Sequence, residues 1–349
     1  MSLLEALWRT ILVLAGTSLL TLVLLVIRRY IAELKGRRTA RDWDAIKETL
    51  FSYLDGEEDD PKAIPTFSFS TKNTARDLAI HLADMIKGRE KERLSRFLIK
   101  TGYLKKNLRR LRHPEVVQRR EAAAALRLFD DEPVRRALHN RLLHDRADSV
   151  RLAAARSLMA QNDLPSPRVL AEVLGPEALQ TLLARSIFRQ IAREKPLDLA
   201  RLLTEPKSSL ELRMVCADAL GESPDFRVIP YLAFATQYRH SQLQATALQS
   251  LGKLEHISAE KAVERGLADS NWTVRLQALV AAGRIGMHYQ TEQIAGLLDD
   301  DNWWVRYRAA ECLFRIGRRG KQALFERASG VDRGSRMAAL ILDEHGVQH

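Results

Sequence analysis

The 349-residue chain contains two cysteines, Cys216 and Cys312. Neither stands at zinc-ligand spacing from other cysteines or histidines, and two isolated thiols suit a reducing compartment. Strand signals are equally scarce. No run of β-branched residues alternates with polar ones, and Pro and Gly fall mostly between helical segments, which leaves little from which to build a sheet. Catalytic signatures are missing as well: there is no G-x-S-x-G, no H-E-x-x-H and no G-x-x-x-x-G-K-[ST]. The stretch Gly317-Arg318-Arg319-Gly320-Lys321 comes nearest to a phosphate loop, but its spacing is wrong and no strand precedes it, so it reads as a turn between helices. The nine histidines are scattered, and His139 and His144, close together in the chain, read as surface residues rather than metal ligands. These absences predict a protein that is not an enzyme and holds no metal or cofactor.

What the chain does have is a period. Residues 299–317, DDDNWWVRYRAAECLFRIG, read as a turn followed by a short helix whose Ala309, Ala310, Leu313 and Ile316 form one apolar stripe. The pattern recurs as ADSNWTVRLQALVAAGRIG at 268–286, with Arg275 in the place of Arg306. Taking the Arg306 position as a marker, the register runs through Arg119, Arg151, Gln180, Arg213, Gln244, Arg275 and Arg306 to Arg336, with Gln180 the weakest copy. Small or apolar residues follow each marker three and four places on, as in Ala154-Ala155, Cys216-Ala217 and Ala339-Leu340. Both cysteines fall on these helices and are expected in or near the core. A recurrence of about 31 residues predicts stacked helix pairs.

The D-x-x-x-x-V-R-x-x-A-A-x-x-L-x-x-I-G strings at 300–317 and 269–286, with DRADSVRLAAARSL at 145–158, resemble the HEAT-repeat family in its short bacterial form, shared with phycobilisome-lyase-like repeats. The resemblance covers residues 100–346 and implies an all-α solenoid of about eight repeats. It implies that the marked helix is the second of each pair and faces the concave side. It also implies a hydrogen-bonded ladder of Asp and Arg between repeats. Asp145, Asp269 and Asp300 fit that ladder, whereas His113 and Lys207 occupy the equivalent place elsewhere, so interruptions are expected.

Residues 1–30 are different material. Residues 10–27 carry no charge over 18 positions, near the lower end of what a membrane-crossing helix needs, and Trp8 and Tyr30 flank them. Arg28, Arg29, Lys35, Arg37, Arg38 and Arg41 follow, which predicts an uncleaved anchor with its C-terminal side in the cytoplasm beneath a bacterial inner membrane. Residues 31–72 then read as a connector: a helix over 39–54 with Trp43, Ile46, Leu50 and Leu54 on one stripe, then an acidic loop at 55–60 broken by Pro61 and Pro65. Helical solenoid is expected from 73 to 346.

The net charge of +11 is concentrated. Between Lys87 and Arg120 there are thirteen Lys or Arg against Glu90, Glu92 and Glu115, a net of +10. Such a block attracts polyanions, and beside an anchor the most economical are anionic lipid headgroups met by Lys105, Lys106, Arg109, Arg110 and Arg112. A solvated helix face is the plainer reading, and nucleic acid ranks last. On the marked helices the positions one, two, five and nine after the marker should face solvent. They place Tyr307, Arg308, Glu311 and Arg315 beside Leu276, Gln277, Val280 and Arg284. With Trp272, Trp303 and Trp304 at the helix starts, this makes an apolar patch rimmed by Arg, the composition of a protein interface. The tryptophans three before the marker either bind there or pack between repeats. The expected function is a membrane-anchored scaffold or accessory subunit gripping a protein of an inner-membrane assembly, by analogy in envelope polysaccharide synthesis or secretion. A HEAT-like DNA glycosylase or lyase is the alternative, with Glu311 and Glu121 the nearest carboxylates.

Overall fold

The computed structural model describes residues 88–347 together with residues 50, 53, 54, 78–80, 82 and 86. The chain divides into two compact units, Met1–Arg109 and Arg110–His349. No helix among the described residues is long and apolar enough to cross a membrane. The expected anchor over 10–27 and the acidic loop lie outside those residues.

In the first unit, helix α1 (Arg89–Lys100) buries Leu94, Phe97 and Leu98. The ring of Tyr53 lies 6.5 Å from that of Phe97, and Leu50 and Leu54 of the expected stripe are buried. Helix α2 (Tyr103–Arg110) follows the turn at Gly102.

The second unit is a succession of helix pairs, and no strand occurs among the described residues. Its chain order is α3 (Val116–Ala125), α4 (Glu132–His144), α5 (Asp148–Ala160), α6 (Pro167–Val173), α7 (Pro176–Leu179), α8 (Leu182–Glu194) and α9 (Pro196–Thr204). It continues with α10 (Leu210–Leu220), α11 (Ile229–Ala235), α12 (Ser241–Leu254), α13 (Glu260–Leu267), α14 (Trp272–Ile285) and α15 (Thr291–Gly296). The last three are α16 (Trp303–Arg315), α17 (Arg318–Ala328) and α18 (Arg333–Glu344). The second helices α3, α5, α8, α10, α12, α14, α16 and α18 pack each on the next, and over most of the array more extensively than the first helices pack on one another.

Local chemistry starts several second helices at the same place. In α10, α14 and α16 a polar side chain four residues before the marker accepts from a first-turn N–H: Ser209 from Leu212 at 3.2 Å, Asn271 from Thr273 at 2.9 Å and Asn302 from Trp304 at 2.9 Å, whereas α3 and α5 start at Glu115 and Ala147 with no side-chain cap. The residues three, four and seven after the marker are then buried, as at Ala278, Leu279 and Ala282 or Ala309, Ala310 and Leu313. Cys216 and Cys312 are buried, and burial pushes the Cys312 thiol up to about 12.

Two copies depart from the expected register. Gln180 caps the C-terminus of the short α7, and the second helix starts after Thr181, so Arg185 takes the marker place; the extra helix α7 between α6 and α8 displaces the marker from Gln180. In α18 the N-cap Asp332 does lie four before Arg336, but the helix is rotated, burying Ser335, Ala338, Ile341 and Leu342 and leaving Arg336 and Leu340 exposed. The Gly317–Lys321 stretch is a turn only at Gly317, whose φ of 93° suits glycine; the four residues after it begin α17.

A feature absent from the sequence reading sets how closely the second helices approach. Gly221, Gly252 and Gly283 recur at the repeat period, each in the eighth place after its marker. A Cβ on Gly252 would lie 2.8 Å from the Ala281 Cα, and one on Gly221 would lie 3.0 Å from the Ser250 Cα, so α10, α12 and α14 stack backbone to backbone there. Their shared spacing was the available signal. In α16 the same position holds Phe314, whose ring stacks 4.0 Å from His345.

Candidate partner-binding face

The ladder between repeats sets the orientation of the turns that carry the site. Arg119 donates from Nε to Asp145 Oδ2 at 2.8 Å and from Nη2 to Oδ1 at 3.0 Å. Arg275 holds Asp300 in the same way, at 2.7 and 2.9 Å. Each aspartate also accepts from the backbone N–H two residues on: Ala147 on Asp145 at 3.0 Å, Asn302 on Asp300 at 2.9 Å. Burial alone raises the Asp145 carboxyl, but the bonds from Arg119, Ala147 and Arg141 outweigh it and hold it below the ordinary carboxylate range. Elsewhere the rungs change. Gln244 meets Asp269 at 3.4 Å, and Arg213 meets the Tyr238 hydroxyl where an Asp would stand. The ladder is therefore interrupted, as expected, but Tyr238 is not among the places the sequence reading gives for it.

On this frame the predicted patch comes together at α14 and α16. Trp272, Trp303 and Trp304 are 42%, 45% and 55% exposed, so none is packed away between repeats. Trp303 stacks on Tyr307 at 5.3 Å and meets Trp304 edge-on at 4.8 Å. Leu276, Val280, Tyr307 and Arg308 are half-buried rather than solvent-facing, because neighbouring second helices lie close enough to shade those positions. Arg284 and Arg315, nine after their markers, are exposed as expected. A shallow cleft of about 150 Å³ runs between the two helices, walled by Val280, Gly283, Arg284, Arg308, Glu311 and Arg315. Glu311 is paired with Arg308 and, at 3.2 Å, with Arg315. Glu121 is paired with Arg110 at 2.8 Å. A larger groove of about 390 Å³ lies on the same side farther up the array, lined by Arg185, Met214, Asp218 and Gln249 among others. The sequence reading missed it, although Met214, Asp218 and Gln249 stand one and five places after their markers.

Of the predicted headgroup-binding residues, Lys105, Lys106, Arg109 and Arg112 are exposed. Arg110 is not free: it is half-buried, and its guanidinium serves Gln118 and Glu121. His139 is bonded to Asp163 at 2.8 Å.

A family model described as HEAT repeats matches residues 230–313 and 259–342, the span from α11 to α18. No curated protein sequence matches the chain. Among solved structures, the karyopherin Kap121p bound to Ste12p is similar, with a TM-score of 0.50 at 11% identity over 89% of this chain and 42% of that one. Kap95p, from a study of how its binding alters the switch loops of RanGDP, has a TM-score of 0.49 at 15% identity over 80% of this chain and 45% of that one. YibA of Escherichia coli has 0.39 at 14% identity, over 80% and 97%. This chain spans less than half the length of the Kap121p and Kap95p chains, and the likeness is one of fold. The chain is a helical-repeat protein, and its residues 230–342 match the family model of HEAT repeats.

Proposed function

We propose that the protein is a non-catalytic scaffold or accessory subunit that grips another protein on the face formed by its second helices. The observation that carries this reading is the row of exposed Trp272, Trp303 and Trp304 joined to half-buried Leu276, Val280 and Tyr307 and rimmed by Arg284, Arg308 and Arg315. Large aromatic side chains left in water at the starts of α14 and α16 cost solvation that a partner recovers on binding, and Trp, Tyr and Arg dominate measured binding hot spots. Mounted on stacked helix pairs, the face is rigid, so little conformational entropy is lost on binding.

The finer reading keeps the anchor. With residues 10–27 in the bilayer and the basic flank in the cytoplasm, the repeats serve a protein of the inner-membrane assembly, and Lys105, Lys106, Arg109 and Arg112 meet anionic headgroups. The test is affinity capture from membranes with the full chain and with a Trp303→Ser/Tyr307→Ser variant. One membrane protein should be captured by the parent and lost from the variant while the melting temperature holds. Equal capture by both would remove the face from consideration.

A further inference from the structure

Two ladder arginines, Arg151 and Arg306, lack a side-chain acceptor in the next repeat, and the Nε of each is buried without a partner. Arg119 and Arg275 grip the carboxylates of Asp145 and Asp300 through Nε and Nη2, Arg213 reaches the Tyr238 hydroxyl, and Arg151 turns to Asp148 in its own helix. Arg306 repeats only the inner half of the Arg275 arrangement. Its Nη1 donates to the backbone oxygens of Asp300 at 2.7 Å and Asp301 at 3.0 Å, as that of Arg275 does to Asp269 and Ser270. The outer half has no side-chain acceptor. Six residues before Arg336, where Asp300 stands relative to Arg306, the chain has Gly330, which offers no side chain. The Arg306 Nε is buried without an acceptor, on a residue that is 9% exposed. A buried guanidinium donor left unsatisfied is costly, and such groups are rare without a reason.

The surroundings say what would fill it. Trp303 and Trp304 project from the same first turn of α16 and are exposed. The neighbouring acids Asp299 and Asp332 are both held by Arg327, whereas Asp301 is exposed. A single carboxylate flanked by apolar side chains suits this setting; a run of acids would be repelled by Asp301.

We propose that Arg306 is a carboxylate-binding position, at which one Asp or Glu side chain of the partner protein meets the guanidinium at Nη2 while its apolar neighbours lie on Trp303 and Trp304. The proposal rests on the partner-binding reading above and supplies the chemistry of the partner. It is tested with a labelled, terminally blocked peptide bearing one Glu between leucines, and its Gln counterpart, titrated with the full chain by fluorescence anisotropy. The Glu peptide should bind about tenfold tighter, about 1.4 kcal/mol. Arg306→Met should erase the preference. Gly330→Asp with Ser335→Ala, the second change making room because a Cβ at 330 would meet the Ser335 Oγ, fills the rung from within. That variant should also lose the preference, with a melting temperature no lower than the parent's, so that loss through misfolding is told apart. Equal binding of the two peptides to the parent, binding of neither, or an unchanged preference in Arg306→Met would overturn the proposal. Equal binding with Trp303-dependent membrane capture intact would sink it while leaving the partner-binding reading in place.

Discussion

Arg275 and Asp300 join two consecutive repeats through paired hydrogen bonds of 2.7 and 2.9 Å, with both side chains mostly shielded from water. The same aspartate fixes the turn ahead of its own helix by accepting from the Asn302 N–H. One carboxylate thus sets both the shape of a turn and the registration of its neighbour. Removing it leaves a shielded guanidinium unpaired. Asp300→Ala should cost about 3 kcal/mol in urea unfolding. Arg275→Met with Asp300→Ala should cost less than the sum of the single changes, with a coupling of about 1–3 kcal/mol. Additive losses would show that the pair does not couple the repeats.

Asp145 makes the equivalent contact with Arg119, and its carboxyl is held below the usual range. The unfolded chain binds that proton near pH 4, whereas the folded chain resists it to lower pH. The associated stability is therefore fully present above about pH 4 and is lost as pH falls through the folded value. Asp145→Asn, followed by thermal melts from pH 6 to pH 3, should be less stable than the parent at neutral pH and should show a shallower fall in acid. A parallel fall would refute this assignment.

The helix stack depends on missing side chains. Gly252→Ala would drive a Cβ to 2.8 Å from the Ala281 backbone. Overpacking of about 1–3 kcal/mol outweighs the gain of up to about 1 kcal/mol in helix propensity, so the melting temperature should fall. Gly296→Ala, at the end of α15 with φ of −59° and open space around it, should raise stability by about 0.4–1 kcal/mol. The opposite signs are the check.

The exposed basic side chains of α2 offer a simple test of lipid contact. Lys105→Glu with Lys106→Glu should weaken binding of the chain lacking residues 1–36 to anionic vesicles at low salt, each charge being worth about 1 kcal/mol near such a surface. The melting temperature should hold, because both positions are exposed. Unchanged vesicle binding would make the block a solvated face.

Periodicity carries the fold. The markers recur at a nearly constant interval because each helix pair buries one stripe against its neighbours, and the stripe at Ala309, Ala310 and Leu313 is visible in sequence for that reason. Caps and ladder aspartates are local too, so Asn271, Asn302, Asp145 and Asp300 could be read where they stand. What the linear pattern could not show depended on neighbours in space. Solvent exposure one, two and five residues after the marker is decided by how near the next helix lies, a distance that Gly221 and Gly252 shorten between α10, α12 and α14. The displacement of the third copy arose from the extra short helix α7, and the rotation of α18 goes with its packing on α17 and α16. The sequence alone determined the repeat, its caps and the candidate rungs, since these are local or periodic; tertiary packing decided which Trp stay in water, that Arg110 is occupied and that Arg306 Nε has no acceptor, since those follow from contacts between residues far apart in the chain.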